Sequence, residues 1–508
     1  MTGIKGNILA NYLGGGWTAL MSILFIPLYI HYLGIESYGL IGIFAILQVW
    51  LFMLDAGLTP TLSREMARFK GGAHSAESIH EMLKALEWLF VGIAIGIVIV
   101  VYFISPWLTD DWLKLEKLSP KVVESALAIT GVVISLRWLG GLYRSAINGL
   151  QNQILLNVLI AIFATLKGLG VVFVLQYISS TIHAFFIYQA VIAFIEMLVF
   201  RVIMYQLLPA KKINVVLNFR ALKDVKKFAT GMVAITFLAT LLTQTDKLIL
   251  SKLMTLSDFG HYALASTVAG GVFFMIQPIS NTIRPRLAEL VVGVKQKQLT
   301  DAYHKFSQFI SVMVVPVALV IAVFSDHLML LWTRDTETTN ATAMFISILV
   351  IGNMFNGLMN GPYALQLAFG KTHIAVWANL ISVIVLIPLL LIAVNLYGAV
   401  AAPLIWVLLN VSYFLLIVPV MHKTILVKDM WDWYWKDTVL PMLSALMVVI
   451  IVFLIAPKPS LNKPLMSVLI LVSSVVLSLL ASIFATKHCR YQLYLLLNFF
   501  KLKLLKIV

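Results

Sequence analysis

The chain has 508 residues, of which 61% are hydrophobic and 12% are charged, and its mean hydropathy is +0.97. Soluble domains are typically about 45–50% apolar and about 25% charged, so this composition excludes an ordinary soluble protein and predicts one whose solvent is partly lipid. Because Cys489 is the single cysteine and the ten histidines are scattered, the sequence excludes internal disulfides and predicts no metal site and no cofactor.

Long apolar segments follow one another along the whole chain. A spanning helix needs about 20 mostly apolar residues, and the first run, 8–30, is too long for a cleavable signal and is predicted to span the membrane. We therefore expect an all-α integral membrane protein with about 14 transmembrane helices. The predicted spans are roughly 7–30, 38–58, 84–105, 121–142, 153–176, 181–205, 227–250, 260–282, 306–325, 341–366, 372–395, 398–420, 438–456 and 464–486.

The distribution of positive charge supports this count. With the N-terminus in the cytoplasm, 28 of the 37 Lys and Arg residues are assigned to the inner side and 7 to the outer side, where residues near a span end, such as Arg137, are counted with the nearer side. Lys167 and Lys247 are assigned to neither side. Basic cytoplasmic loops are typical of membrane proteins, so the net charge of +15 is attributed to topology and no nucleic-acid partner is expected. Both termini are predicted to be cytoplasmic.

The connections between the predicted spans are short, so none is expected to form a separate domain. Two basic amphipathic segments, 211–227 and 490–508, are predicted to lie on the anionic inner leaflet. Membrane lipids are therefore expected partners, although each segment could instead be a solvated connector.

A repeat with an offset of 221 residues relates the two halves of the chain. The predicted outer turn that ends at Gly39 is similar to the one that ends at Gly260, and Gly149 recurs as Gly370. The offset covers six predicted helices, an even number, so the halves have the same orientation in the membrane. We expect six-helix lobes at 1–210 and 211–425 around a central cavity, followed at 426–508 by two further transmembrane helices and a basic amphipathic tail.

Several segments resemble one family of membrane proteins. The segment from Pro27 to Leu40 (PLYIHYLGIESYGL) resembles the first hairpin of the polysaccharide flippases, which are Wzx-like exporters of the O-antigen or teichoic type in the multidrug/oligosaccharidyl-lipid/polysaccharide exporter superfamily. Further segments are similar to later parts of the family pattern: Asp55-Ala56-Gly57-Leu58, Ser63-Arg64-Glu65, Thr245-Asp246-Lys247, Gly260-His261-Tyr262 and Arg284-Pro285-Arg286-Leu287.

The resemblance implies a function and a location. It implies export of an undecaprenyl-diphosphate-linked oligosaccharide, such as an O-antigen-type repeat unit, across the bacterial inner membrane by alternating access. It implies no ATP hydrolysis by the chain, and other polysaccharide assembly proteins are expected partners. A diphosphate–sugar head group needs cationic hydrogen-bond donors in a wet cavity. The first lobe holds most of the charges within spans and is predicted to bind this head group.

Charged side chains within the predicted spans are the candidate site residues, because each costs about 2.5–3.5 kcal/mol on insertion scales and usually faces a cavity or a partner. Lys167 lies about 21 Å from the inner end of its helix, with no acid near it in that helix. Arg137 and Glu196 lie at similar depths on neighbouring hairpins and could pair. Such a pair could be purely structural or could have a function, and the sequence favours neither interpretation.

The candidates divide by charge into two roles, and no catalytic residue is predicted. Each role has an alternative: the cytoplasmic arginines could be ordinary anchors, and Asp55 could simply cap the inner mouth. The pair at 246–247 could have an interfacial position. The predicted substrate-binding residues are Lys167, Arg137, Arg64, Arg284, Arg286 and Lys247, and the predicted coupling or gating residues are Asp55, Glu196 and Asp246.

Three other functions compete with the flippase. A cation-coupled multidrug antiporter of the same superfamily would need acidic sites within the membrane, whereas the candidates here are mixed and the rims are basic. A membrane glycan polymerase or ligase would commonly place catalytic residues on a large outer loop, which this sequence lacks. A membrane scaffold is disfavoured by the charges in the spans and by the repeat.

Overall fold

The computed structural model describes residues 4–55, 57–209, 223–293 and 296–504. Within these ranges the regular structure is helical, apart from one isolated bridge between Lys114 and Thr255. Twelve of the described helices are long and apolar enough to cross a membrane, or thirteen if one bent pair is counted as a single span. The all-α membrane fold predicted from the sequence is confirmed, and the described residues account for twelve or thirteen of the about fourteen predicted spans.

Two predicted segments fall partly outside the described residues. The predicted span 227–250 coincides with a 31-residue helix, Lys223–Leu253, whose side chains up to residue 235 lie outside the described part of the chain. The amphipathic segment 211–227 lies mostly outside it, and so does the end of the tail 490–508. The inner-leaflet position of both segments stays a prediction.

The chain divides into two compact units, Met1–Ala263 and Leu264–Val508. In unit 1, α6 packs against α4, α5 and α8, which places α6 and α8 side by side. The helices of unit 1 are α1 (Ile4–Leu24), α2 (Ile26–Leu33), α3 (Ile35–Phe52), α4 (Leu58–Lys70), α5 (Ala76–Trp107), α6 (Pro120–Gly149), α7 (Gln153–Tyr177), α8 (Ile182–Leu207), α9 (Lys223–Leu253) and the first part of α10 (Leu256–Gly270).

Unit 2 contains the remaining helices. Its core is formed by α12 with α14, α20 and α21. The repeat in the sequence predicts lobes that end at residues 210 and 425, whereas the two compact units meet at residue 263. The predicted lobe boundaries stay a prediction. The helices of unit 2 are α11 (Phe273–Val292), α12 (Gln296–Val323), α13 (Ser325–Thr333), α14 (Thr336–Leu358), α15 (Asn360–Ala368), α16 (Thr372–Tyr397), α17 (Ala401–Ser412), α18 (Val418–His422), α19 (Met430–Asp432), α20 (Leu440–Ile455), α21 (Pro464–Ala485) and α22 (Lys487–Leu504).

The helix boundaries recur at the spacing found in the sequence. An offset of 221 residues carries Ile35, the first residue of α3, onto Leu256, the first residue of α10. The same offset carries the starts of α5, α7 and α8 to within two residues of the starts of α12, α16 and α17. The order and the starts of these helices therefore repeat along the chain.

Local signals in the sequence set several of these boundaries. The Ser75 side chain accepts a hydrogen bond from the Ser78 amide at the start of α5, and the Thr181 side chain accepts one from Ala184 at the start of α8. Gly34 separates α2 from α3 with φ of 81°, a left-handed conformation that glycine adopts without a steric penalty. The caps fix where α5 and α8 begin, and the start of α8 fixes the axial position of its polar residues.

Candidate functional site

A group of polar side chains lies inside unit 1, within the spans of α3, α6, α7 and α8. We call it the charge cluster, and its positions in the helices place it in the membrane interior, since Lys167 is fourteen residues, or about 21 Å, from the start of α7. The cluster consists of Lys167, Glu196, Arg144, Arg137, Gln48 and Gln189.

Glu196 of α8 is the anion at the centre of the cluster. Its side chain is 6% exposed, and its two oxygens face different cations. The Lys167 ammonium donates to Oε2, while Nη1 of Arg144 lies 3.9 Å from Oε1. Lys167 is 22% exposed and Arg144 is 32% exposed, so the cations are more accessible than the carboxylate that they neutralise.

Arg137 of α6 is held by neutral groups. Its Nη1 donates to Oε1 of Gln48 at 2.8 Å, and its Nη2 donates to Oε1 of Gln189 at 2.9 Å. The guanidinium also lies 5.1 Å from the centre of the Phe44 ring. Its Nε is buried without a hydrogen-bond partner among the described residues. Amides and a ring orient this cation but supply no negative charge.

Two pairs of side chains connect the parallel helices α6 and α8, and we call each pair a rung. Arg137 contacts Gln189 and Arg144 faces Glu196, and in both rungs the partners are 52 residues apart in the chain. Residues seven apart lie on the same face of a helix, two turns from each other. The Arg137–Arg144 face of α6 therefore meets the Gln189–Glu196 face of α8 in register, and Lys167 of α7 reaches the second rung.

The predicted pairing of Arg137 with Glu196 is wrong. Arg137 lies one rung above the carboxylate, a rise of about 10 Å along the helix, and Lys167 and Arg144 make the contacts instead. Because Lys167 has no acid in its own helix, the sequence left its partner unidentified, and α8 supplies it. The sequence analysis also missed three members of the cluster: Arg144, which the seven-residue spacing from Arg137 could have revealed, and the uncharged Gln48 and Gln189.

The charge balance determines what the cluster can do. Its described members include three cations and one carboxylate, which leaves two positive charges in excess. Charges in a medium of low dielectric are unfavourable unless they are paired or solvated. Guanidinium groups bind phosphate with two parallel hydrogen bonds, and an ammonium adds a compact point charge. The cluster is thus suited to bind an anion with more than one negative charge.

Arg64, one of the predicted binding residues, belongs to a second ionic group at the end of α4. Nη2 of Arg64 lies 2.8 Å from Oε1 of Glu65, while Arg68 and His74 approach the other oxygen at 3.2 and 2.7 Å. Burial raises the pKa of Glu65, but the hydrogen bonds from His74 and Arg64 outweigh it and leave that pKa below its ordinary value. These contacts connect α4 to the end of the following loop, just before α5.

Asp55 caps the start of α4. Its Oδ1 accepts a hydrogen bond from the Thr59 amide at 3.1 Å, and its Oδ2 accepts one from the Thr59 hydroxyl at 2.9 Å. This geometry satisfies a free amide in the first turn of the helix. Asp55 therefore has a structural role at the start of this helix, whereas capping of the inner mouth and a gating role both stay predictions.

The predicted pair near the end of α9 makes its own contacts. Oδ2 of Asp246 accepts a hydrogen bond from the Tyr262 hydroxyl at 2.6 Å. The ammonium of Lys247 donates to the carbonyl of Thr243 at 3.0 Å and lies 3.6 Å from Asp246. The pair thus links α9 to α10, and its roles in binding and coupling stay predictions.

The two remaining predicted residues lie on α11 in unit 2. Arg286 pairs with Glu289 at 2.8 Å, and both side chains are more than half exposed. The Arg284 guanidinium lies 5.9 Å from the centre of the Tyr363 ring. The exposed Arg286–Glu289 pair fits the anchoring alternative, and a binding role for either arginine stays a prediction.

The starts of α3 and α10 cross through two glycines that the repeat relates. A Cβ on Gly39 would collide with the carbonyl oxygen of Leu256, and a Cβ on Gly260 would collide with the carbonyl oxygen of Ile35. The offset of 221 carries Gly39 onto Gly260 and Ile35 onto Leu256. The crossing is therefore reciprocal, and each helix requires glycine at the matching position so that the backbones can approach.

Residues 32–333 match a family described as "Polysaccharide biosynthesis protein". The chain belongs to this family. Among curated proteins, this family member is similar to the "Putative O-antigen transporter" of Shigella flexneri, with 21% identity over 377 residues that cover 74% of the chain and 87% of the relative. The resemblance to polysaccharide flippases of the exporter superfamily is confirmed.

Solved structures share the fold of this polysaccharide biosynthesis protein at low sequence identity. The lipid II flippase MurJ in an inward closed conformation aligns with a TM-score of 0.68 and 15% identity, over 92% of this chain and 97% of MurJ. The multidrug transporter DinF-BH, of the MATE type and in complex with R6G, aligns with a TM-score of 0.61 and 14% identity, over 84% and 96% of the two chains. The chain is a multi-pass membrane protein with a transporter fold.

Proposed function

We propose that this protein is a flippase that moves an undecaprenyl-diphosphate-linked oligosaccharide from the inner to the outer leaflet of the bacterial inner membrane, with both termini in the cytoplasm. Family membership, the named relative and the flippase fold support the class of function. The observation that carries the proposal for the cargo is the charge cluster, whose described members hold two positive charges in excess within the membrane.

The chemistry of the cluster fits a diphosphate. A diphosphate that links a lipid to a sugar carries one negative charge on each phosphate, which matches the excess of the cluster. Arg144 and Lys167 are partly exposed and can approach phosphate oxygens, while Gln48 and Gln189 orient the guanidinium of Arg137. Charge-assisted hydrogen bonds of this kind are among the strongest that side chains make. The predicted binding roles of Lys167 and Arg137 are retained, and Arg144 is added.

The crossing of α3 and α10 supports a proposal for access. It lies at the predicted outer ends of both helices, where backbone atoms meet across the glycines beside the buried side chains of Leu256 and Phe259. We assign it the role of the outer closure, which must open after the cargo has bound. A cargo drives such a change only if it binds the two states with different affinities.

The charge balance also separates this proposal from its main competitor. A cation-coupled multidrug antiporter shares the fold, but a cationic drug needs a site rich in carboxylates. The cluster instead has one carboxylate among its described members, and that carboxylate is neutralised by two cations.

Glycan export in cells tests the proposal. Surface glycan and the membrane level of the protein are measured together in a strain that lacks the native gene. We expect Lys167→Glu to reduce export at least tenfold, about what the loss of a buried charge contact gives, and Lys167→Arg to retain part of it. The matched control is Lys121→Glu, which changes an exposed lysine at the start of α6, outside the charge cluster. This variant should export normally. Normal export by well-expressed Lys167→Glu would contradict the proposal.

A further inference from the structure

Glu196 occupies the place that an anionic ligand would take. Both of its oxygens face cluster cations, and the carboxylate is more buried than either Lys167 or Arg144. The ion pairs are unequal, because Lys167 makes a direct hydrogen bond whereas Arg144 stays at 3.9 Å. In the state described, the site therefore holds an anion of its own, and that anion is attached to α8.

We propose that Glu196 is an internal competitor that exchanges with the phosphates of the cargo on Lys167 and Arg144, and that its return to these cations promotes release of the cargo. The identity of the cargo anion rests on the proposed function, whereas the exchange itself concerns any phosphate anion. Glu196 thereby sets how tightly the cluster holds phosphate.

Tethering makes the competition effective. A group fixed on the same protein has an effective concentration in the millimolar range or above. An external anion binds only the fraction of molecules in which the carboxylate has moved away, and its apparent dissociation constant rises in inverse proportion to that fraction. Dilute small anions are thus kept off the site. A diphosphate competes better, since its two negative charges match the two cations, Lys167 and Arg144, that face Glu196.

The contacts allow such an exchange. The lysine side chain is a flexible four-carbon stem with a compact charge, so Lys167 can turn from Glu196 to a phosphate without movement of α7. Arg144 also donates to the carbonyls of Gly140 and Arg137, each at 3.4 Å, which holds its guanidinium beside the carboxylate. Glu196 stays on α8 when displaced, and its negative charge then repels the bound phosphates.

This role predicts opposite effects on binding and on export. In Glu196→Gln the competitor is absent, and phosphate anions should bind about tenfold more tightly or better, as expected if the site is free in about a tenth of the wild-type molecules. Export should nevertheless fall, because release is slowed. A carboxylate that only supports the fold would weaken both binding and export when it is replaced.

Pyrophosphate binding to the purified full-length protein tests the inference. Inorganic pyrophosphate is titrated by calorimetry into wild type, Glu196→Gln and Glu196→Asp, and thermal unfolding with and without pyrophosphate follows the stability of each. We expect tighter binding and a larger thermal stabilisation by pyrophosphate in Glu196→Gln. Glu196→Asp, which keeps a carboxylate, should lie between it and the wild type and remains informative if the glutamine variant folds poorly.

The control is a partly buried carboxylate of unit 1, Glu87. Glu87 lies 3.5 Å from Nε of Arg201 and accepts a hydrogen bond from the Tyr205 hydroxyl at 2.8 Å, outside the cluster. Glu87→Gln should leave pyrophosphate affinity unchanged. The inference would be overturned if both Glu196 variants bound pyrophosphate no more tightly than wild type. It would also be overturned if Glu87→Gln raised pyrophosphate affinity as much as Glu196→Gln.

The inference and the proposed function fail in different ways. If pyrophosphate binding depends on Lys167 but does not tighten in Glu196→Gln, the competitor role is overturned and the flippase proposal stands. If binding tightens as expected but Lys167→Glu exports glycan normally, the anion exchange stands and the flippase proposal is overturned.

Discussion

The Lys167 ammonium on α7 donates a hydrogen bond to Glu196 on α8 in the interior of the predicted membrane region. This contact joins two helices that follow each other in the chain, and Arg144 on α6 extends it to a third. Breaking a buried ion pair by removal of one partner typically costs about 3–5 kcal/mol, because the other charge is left unpaired.

Charge reversal tests whether this pair is energetically coupled. Lys167→Glu places two carboxylates together, and Glu196→Lys places three cations together, so each single variant should unfold at a lower temperature or reach the membrane at a lower level. The double variant restores opposite charges and should recover most of the loss. Thermal unfolding of the purified proteins measures the coupling, and a double variant no better than the worse single would show that the two residues do not interact.

Arg144 should matter as much as Lys167, although the sequence analysis did not select it. Arg144→Gln removes one of the two cations around Glu196 and should reduce glycan export at least tenfold, on the order of the effect of a lost charge contact. Arg144→Lys keeps the charge without the planar fork and should retain part of the activity. Arg334→Gln, an exposed arginine in unit 2, serves as the control, and equal export by the two glutamine variants would exclude Arg144 from the site.

Much of the fold could be predicted from the sequence, but the partners within the cluster could not. Apolar length and charge distribution depend on single segments, so the spans and the depth of Lys167 were accessible. The rungs between α6 and α8 depend on the register of two helices with another one between them in the chain. Gln48 and Gln189 were missed because the search for charges ignores neutral amides.

The sequence repeat likewise predicted which positions are equivalent in the two halves, but it did not predict that equivalent positions contact each other. The 221-residue offset related Gly39 to Gly260 in the sequence. That the two glycines lie in one reciprocal helix crossing depends on tertiary packing, which spacing along the chain does not reveal.

Larger residues at this crossing should open it. Gly39→Leu or Gly260→Leu forces a side chain against a carbonyl oxygen of the opposing helix, and overpacking of this kind costs about 1–3 kcal/mol. The distance between spin labels at residues 35 and 256 should therefore increase. It is measured by electron paramagnetic resonance in a variant in which Cys489 is replaced by Ser. Gly16→Leu adds a side chain where no atom lies within 4 Å and is the control. Unchanged distances in both crossing variants would remove the proposed outer closure.

The ionic group around Glu65 predicts a pH dependence at the end of α4. Hydrogen bonds from His74 and Arg64 hold the pKa of Glu65 below its ordinary value of 4.5 despite burial. A carboxyl whose pKa is lowered by folding stabilises the folded state above its ordinary pKa, and that contribution is lost as the pH falls through the folded value. The contribution of Glu65 to thermal stability should therefore be constant near neutral pH and decrease below about pH 4. Glu65→Gln should be less stable at neutral pH and lack this part of the acid decrease, and an identical pH profile in the variant would contradict the assignment.

Transport by the purified protein is the most direct test of whether the charge cluster moves the lipid head group. The protein is reconstituted in liposomes with a fluorescent undecaprenyl-diphosphate oligosaccharide, and a membrane-impermeant reagent that reacts with the sugar reports the fraction exposed on the outer leaflet over time. We expect wild type and Lys121→Glu to equilibrate the lipid across the bilayer. Lys167→Glu and Arg144→Gln, present in equal amounts, should do so at least tenfold more slowly, on the order of the effect of a lost charge contact. Equal rates for wild type and both cluster variants would contradict a role for these cations in moving the head group.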